Sequence, residues 1–199
     1  MICAEGGASM LRAGIFKPRT SPFACQGPGT EGFKTLKAMK EMTGLPVVSE
    51  LTSSKYAEEL AEVVDVIQIG ARNMQNYKLL EIVGKLGKPV LLKRGLASTL
   101  DEFLQAADYI LKDQEEVILC ERGIRTFETS TRFTLDVGVV PYLKLHTHLP
   151  IIIDPSHASG DRKIVPAVSR AAAAVGADGI IVETTEDPVN AKCDGPQQL

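Results

Sequence analysis

The sequence predicts an α/β protein built on a parallel sheet. Short apolar runs rich in β-branched residues recur along it, as in Ile151-Ile152-Ile153, and each is too short for a helix. Loops follow these runs, and most lead into stretches whose apolar residues fall at helical spacing. Alternation of strand and helix places helices outside a sheet of parallel strands. Seven strands can be counted, one short of a closed TIM (β/α)8 barrel. An open doubly wound sheet is the other architecture, but its Gly-x-Gly-x-x-Gly turn is absent.

The elements follow in order. Gly6-Gly7-Ala8 reads as a helix exit, and residues 9–16 as the first strand. Pro18 and Pro22 make the next stretch a loop that runs through Gly27-Pro28-Gly29. A helix over 31–42 carries Phe33, Leu36 and Met39, and Gly44 stops it. Strands over 46–51, 66–69, 89–93 and 117–120 lead to helices over 54–63, 76–83, 99–111 and, more weakly patterned, 135–145. Ser98 or Thr99 can cap the third of these, with Glu102 completing a capping box. Strand 151–153 ends at Asp154-Pro155. A helix over 162–175 and a strand over 179–182 finish the alternation.

Composition bounds the function. With 199 residues, 44% hydrophobic and 24% charged, the chain is expected to form one domain over 1–199 with a full core. A net charge of -3 argues against nucleic acid as the main partner. Four cysteines without a Cys-x-x-Cys pair fit a reducing, cytoplasmic compartment. No apolar run reaches membrane-spanning length, and the amino terminus lacks the order of a signal peptide.

In a parallel sheet chemistry collects at the carboxyl ends of the strands. Two groups of side chains gather there. Arg12, Lys17, Arg19, Arg72, Lys93, Arg122 and Arg125 are cations on separate strand ends. They either bind a phosphate or carboxylate ligand or pair with Glu50, Glu121 and Asp154. His157, Glu183 and Asp194 form the second group. One imidazole and two carboxylates suit a divalent ion, while the alternative is that His157 is structural and the acids cap the final turns.

Longer motifs then become legible. They are Leu-Arg-Ala-Gly-Ile-Phe-Lys-Pro-Arg-Thr-Ser-Pro (11–22), Gln-Ile-Gly-Ala-Arg-Asn-Met-Gln-Asn (68–76), Leu-Leu-Lys-Arg-Gly (91–95), Ile-Leu-Cys-Glu-Arg-Gly-Ile-Arg-Thr-Phe-Glu (118–128), Asp-Pro-Ser-His (154–157) and Cys-Asp-Gly (193–195). In this order they resemble the type I-beta 3-deoxy-D-arabino-heptulosonate 7-phosphate (DAHP) synthases of the shikimate pathway. The 3-deoxy-manno-octulosonate 8-phosphate synthases share the later motifs, whereas Lys-Pro-Arg-Thr-Ser and Gly-Ala-Arg-Asn-Met-Gln-Asn look like the heptulosonate group. A barrel remnant that binds phosphorylated metabolites without catalysis is a further alternative.

The resemblance implies an aldol-like condensation of phosphoenolpyruvate with erythrose 4-phosphate, within aromatic amino acid biosynthesis. It implies Arg12, Ala71, Arg72, Lys93 and Arg122 at phosphoenolpyruvate, with Arg125 and Asp154 counted among the substrate-binding residues. Lys17, Pro18, Arg19 and Thr20 match the loop receiving the sugar phosphate. His157, Glu183 and Asp194 match ligands of a divalent metal ion, Mn, Fe, Co or Zn. Lys93 is the candidate proton donor, with His157 and Glu50 behind it. A homo-oligomer is expected.

The family opens its barrel with a strand ending Gly-Pro-Cys-Ser, whose cysteine is a fourth metal ligand. This sequence has no such segment, and Cys3 matches the end of the first helix. The expected fold is therefore a TIM (β/α)8 barrel lacking its first strand and most of its first helix, whether as a fragment or a mis-started gene model. Two unpaired sheet edges are expected. Neither Cys25 nor Cys193 has the spacing of a replacement ligand, and feedback control is not expected.

Overall fold

A computed structural model describes residues 2–191 and 193–199. Met1 and Lys192, which head the Met-Ile-Cys and Lys-Cys-Asp-Gly runs, lie outside the described residues. Seven strands form one parallel sheet, in sequential order: β1 (Leu11–Arg12), β2 (Val47–Glu50), β3 (Val66–Ile69), β4 (Val90–Lys93), β5 (Val117–Glu121), β6 (Ile151–Ile153) and β7 (Gly179–Ile180). This is the strand order of a (β/α) barrel, and it excludes the doubly wound alternative, whose order reverses. Among the described residues β1 pairs only with β2, and β7 only with β6.

The helices are α1 (Ile2–Glu5), α2 (Gly32–Thr43), α3 (Ala57–Val63), α4 (Tyr77–Gly84), α5 (Leu100–Leu111), α6 (Val139–His146), α7 (Pro155–Ser159) and α8 (Val165–Ala174). Their apolar stripes meet the outer face of the sheet. Leu36, Leu60, Leu80, Phe103, Ile110 and Leu143 join Ile67, Ile69, Leu92 and Leu119 in one core. Gly44 closes α2 in the left-handed conformation, φ 66°. Thr99 and Glu102 form the expected capping box on α5.

Five elements differ from the sequence expectation. β7 spans Gly179–Ile180 rather than 179–182. β1 is two residues long rather than spanning 9–16. Beyond Ala13 the backbone turns to the returning loop: Lys17 N donates to Gln26 O at 2.8 Å, and Gly29 N to Ile15 O at 2.9 Å. α6 begins at Val139 because Thr134 is already paired with Ile124 in an antiparallel bridge. The helix expected over 162–175 is α8 alone, starting at Val165 with a proline in its first turn. The short α7 has no counterpart in the sequence expectation. Asp154-Pro155 ends β6, but Pro155 also starts a helical turn, and Asp154 Oδ1 accepts the His157 N–H at 2.9 Å.

One device recurs at the amino-terminal end of the sheet. Asp65, just before β3, donates its N–H to Val47 O at 2.9 Å and accepts the Val47 N–H at 2.8 Å. Asp178, just before β7, brackets Ile151 in the same way, at 2.8 and 2.9 Å. Each carboxylate also takes a lysine from the helix before the strand it brackets, Lys40 of α2 at 2.6 Å and Lys144 of α6 at 2.7 Å. Burial works against ionisation of Asp65, but Lys40 and the Val47 N–H outweigh it; Lys144 and the Ile151 N–H act on Asp178. Both carboxyls are held below the ordinary value of 3.8.

Asp65→Ala and Asp178→Ala are each expected to cost about 1 kcal/mol, mostly from the backbone hydrogen bond, since exposed lysine pairs add little. The folded carboxyls have the lower pKa, so the unfolded chain binds more protons in acid. The contribution is whole above about pH 4 and fades below it, so variants and wild type should converge in urea melts run at falling pH.

Candidate active site

Side chains alternate between the faces of a strand with period two. On the concave face each row changes from apolar to polar in the chain direction. β2 presents Val48 and then Glu50, β3 Val66 then Gln68, and β4 Leu91 then Lys93. β5 presents Ile118 and Cys120, with Arg122 one step past its end. Ile152 of β6 precedes Asp154, and Ile181 precedes Glu183. Parallel strands in sequential order bring these polar positions to one rim.

Glu50, Gln68, Lys93, Arg122 and Glu183 line a cavity of about 310 Å³. Arg12 of β1, the loop residues Lys17, Pro18, Arg19 and Thr20, and Ala71 and Arg72 beyond β3 join the wall. Seven cationic side chains line it against three carboxylates, Glu50, Glu183 and Asp194. Some of the charge is neutralised locally. Arg12 reaches Glu183 Oε1 at 3.2 Å and Glu50 Oε2 at 3.8 Å. Arg19 pairs with Asp194 at 3.3 Å, whereas Lys17 Nζ only donates a hydrogen bond to Cys193 Sγ, at 2.6 Å, and leaves its charge uncompensated among the described residues. Lys93 pairs with the fully buried Asp154. Arg72 and Arg122 have no ion pair among the described residues. Arg122 rests 4.1 Å above the Phe133 ring; burial presses its pKa down to about 10, so it stays charged. Glu121, expected as one counter-charge, instead holds Arg94 at 2.9 Å, both buried away from the cavity.

His157, Glu183 and Asp194 converge, with one potential ligand atom from each within 4.8 Å of the others. Asp154 Oδ2 lies 2.7 Å from His157 Nδ1, which leaves Nε2 facing Glu183 Oε1 at 3.5 Å. A carboxylate behind an imidazole is the usual support of a metal-ligating histidine. Burial lowers the His157 pKa despite Asp154 and favours the neutral ring that a metal requires. Asp194 stands at φ 53°, the one non-glycine residue in the left-handed region among those described. One nitrogen and two carboxylate donors fit a divalent ion of borderline or hard character.

Two of the expected substrate contacts stand outside this wall. Asp154 does not line the cavity: it is fully buried behind Lys93 and His157 and can act only through them. Arg125 does not line it either. The chain leaves the rim after Gly123 to pair Ile124 with Thr134, and the Arg125 N–H goes to Leu96 O at 2.7 Å. Sequence reasoning missed Arg132, which lines the cavity 3.6 Å from Asp194. It lies in an irregular segment far from any strand end, where periodicity carries no signal. Gln68, within the 68–76 motif, bridges Arg12 and Glu50 at 3.3 and 3.2 Å.

A model of the DAHP synthetase I family matches residues 4–199. A phospho-2-dehydro-3-deoxyheptonate aldolase of Thermotoga maritima is 50% identical over 197 residues, 98% of this chain and 58% of that protein. A 2-dehydro-3-deoxyphosphooctonate aldolase of Citrifermentans bemidjiense is 35% identical over 213 residues, 100% of this chain and 77% of that protein. The crystal structure of the T. maritima aldolase (DAHP synthase) superposes with a TM-score of 0.94 at 48% identity, over 99% of this chain and 57% of that one. A truncated form of the T. maritima synthase gives 0.90 at 46% identity, over 99% and 72%. The chain thus spans under three-fifths of the full-length T. maritima protein. No helix among the described residues is long and apolar enough to cross a membrane.

Gly70 shows how tightly the rim is built. Its φ of -70° is open to any residue, but a Cβ there would lie 2.0 Å from Glu50 Oε1. Gly70→Ala is expected to displace the Glu50 carboxylate from Gln68 and Arg12 and to cost about 1–3 kcal/mol through overpacking, read as a lower midpoint in thermal unfolding.

Proposed function

The chain belongs to the DAHP synthetase I family, and from that premise we propose that residues 1–199 form one (β/α) barrel catalytic domain that condenses phosphoenolpyruvate with D-erythrose 4-phosphate. The products are 3-deoxy-D-arabino-heptulosonate 7-phosphate and phosphate, and the protein acts as a cytoplasmic homo-oligomer. One observation supports this above the others: a cavity holding Arg72 and Arg122, which have no carboxylate partner among the described residues, opens beside a His–Glu–Asp cluster. Arg122, 5% exposed, is a buried guanidinium that is costly unless an anion completes it, and Arg72, which is exposed, is free to meet the same anion. Both proposed substrates carry phosphate, and one also carries a carboxylate. The heptulosonate is preferred over the octulosonate because the relative named for the former is 50% identical and the one named for the latter 35%.

In the proposed reaction, C3 of phosphoenolpyruvate forms a bond to the aldehyde carbon of the sugar, whose oxygen takes a proton. Water adds at C2, and the C2–O bond to phosphate breaks, leaving a ketone and inorganic phosphate. Arg12, Ala71, Arg72, Lys93 and Arg122 would hold phosphoenolpyruvate; Lys17, Pro18, Arg19 and Thr20 would hold the sugar phosphate. Lys93, fixed by Asp154, is the first candidate proton donor, and His157 and Glu50 are secondary candidates. Burial raises the Glu50 pKa despite Arg12 and Lys93, which suits it to proton exchange. His157, Glu183 and Asp194 would hold a divalent ion, Mn, Fe, Co or Zn, which would supply Lewis acidity toward the aldehyde oxygen or a water. Holding two anions in contact would supply much of the rate.

Phosphate release from phosphoenolpyruvate, dependent on both erythrose 4-phosphate and Mn²⁺, is the expected result; turnover only with arabinose 5-phosphate would transfer the chain to the octulosonate group. Binding without turnover would make it a non-catalytic barrel. Arg122→Met separates binding from folding. It should weaken phosphoenolpyruvate binding about 10–100-fold by calorimetry. Stability should hold or rise, because the variant removes a buried charge that has no ion pair. Unchanged affinity would dismiss Arg122 as a substrate contact.

A further inference from the structure

We infer that Gln197 is a positioning residue for Glu183, engaging one carboxylate oxygen so that the other is presented to a cation; this rests on the metal reading of the His157–Glu183–Asp194 cluster. Gln197 is buried, 2% exposed, in the helical turn Gly195–Gln197 that follows Asp194. Its side-chain amide has two charged neighbours. Nε2 donates to Glu183 Oε2 at 2.6 Å, and Oε1 accepts from Arg132 at 2.8 Å.

These neighbours leave the amide one orientation. A guanidinium only donates and a carboxylate only accepts. Turned over, the amide would set N–H against N–H on one side and oxygen against oxygen on the other. Arg132 therefore orients Gln197, and Gln197 orients Glu183. The backbone holds the same alignment. Leu199 N donates to Glu183 O at 3.0 Å, Thr185 N to Leu199 O at 3.2 Å, and Glu183 N to Ser156 Oγ at 3.0 Å. With Oε2 engaged, Oε1 is the oxygen that lies 3.5 Å from His157 Nε2 and 3.2 Å from Arg12. A carboxylate restrained in this way loses less rotamer freedom when an ion is taken up.

The test titrates Mn²⁺ into wild type, Gln197→Met and Gln197→Asn without substrates, using calorimetry for affinity and electron paramagnetic resonance for the bound ion. Methionine keeps the volume and removes both hydrogen bonds; asparagine keeps the amide but is one methylene too short to reach both neighbours. Each is expected to bind Mn²⁺ about 10–100-fold more weakly than wild type, with a changed resonance line shape at saturation. Circular dichroism of the metal-free proteins checks the fold, and if the methionine variant does not fold, the asparagine variant decides. Wild-type affinity and line shape in a folded variant would overturn the role of Gln197 alone. Failure of wild type to take up Mn²⁺ at millimolar concentration would overturn the metal reading and this role with it.

Discussion

The period-two alternation of parallel strands governs this molecule. Each concave row has room for one or two apolar side chains, such as Val48, Val66 and Leu91, before the polar position is reached. The polar residues then have nowhere to lie but at one rim, because every strand points the same way and pairs in sequence. A slip of one residue in any strand would turn its polar end toward the helices and an apolar residue into the cavity. Fold and site are thus one constraint, and the outer core of leucine, isoleucine and phenylalanine holds the register.

The carboxylates buried behind the wall, Asp154 and Glu121, are tolerable because each accepts more than one hydrogen bond. Asp154 accepts from Lys93, from the His157 backbone and from the His157 ring. Burial opposes its ionisation, yet Lys93 and His157 keep its carboxyl well below the usual carboxylate range. Glu121 accepts from Arg94 and from the Gly123 N–H at 2.6 Å. Here burial prevails and the pKa is raised. Cys120, close to both, is simply buried: its thiol is pushed up to about 12 and does no acid–base chemistry. Networks satisfied to this degree fix side-chain geometry more than they add stability.

Much of this was legible beforehand where chemistry is local. β3 and β6 span the expected residues, and the cap on α5 was readable from Thr99 and Glu102, because apolar runs and caps are properties of neighbouring residues. The cluster of His157, Glu183 and Asp194 was legible because each follows the last two strands. Arg132 and Gln197 were not, since their relevance comes from where irregular segments return over the rim. Arg125 stands outside the wall for the same reason: it sits close in sequence to Arg122, but a bridge between Ile124 and Thr134 takes the chain elsewhere.

Arg12 and Arg19 each hold a carboxylate of the His–Glu–Asp cluster while also lining the cavity. A divalent ion bound to those carboxylates would compete for their charge, and the two guanidinium groups would be left more available to an anion. Linkage then requires the converse: an anion that draws the arginines away makes the acids better ligands. The two ligand classes would be cooperative through ion pairs alone, without movement of the backbone.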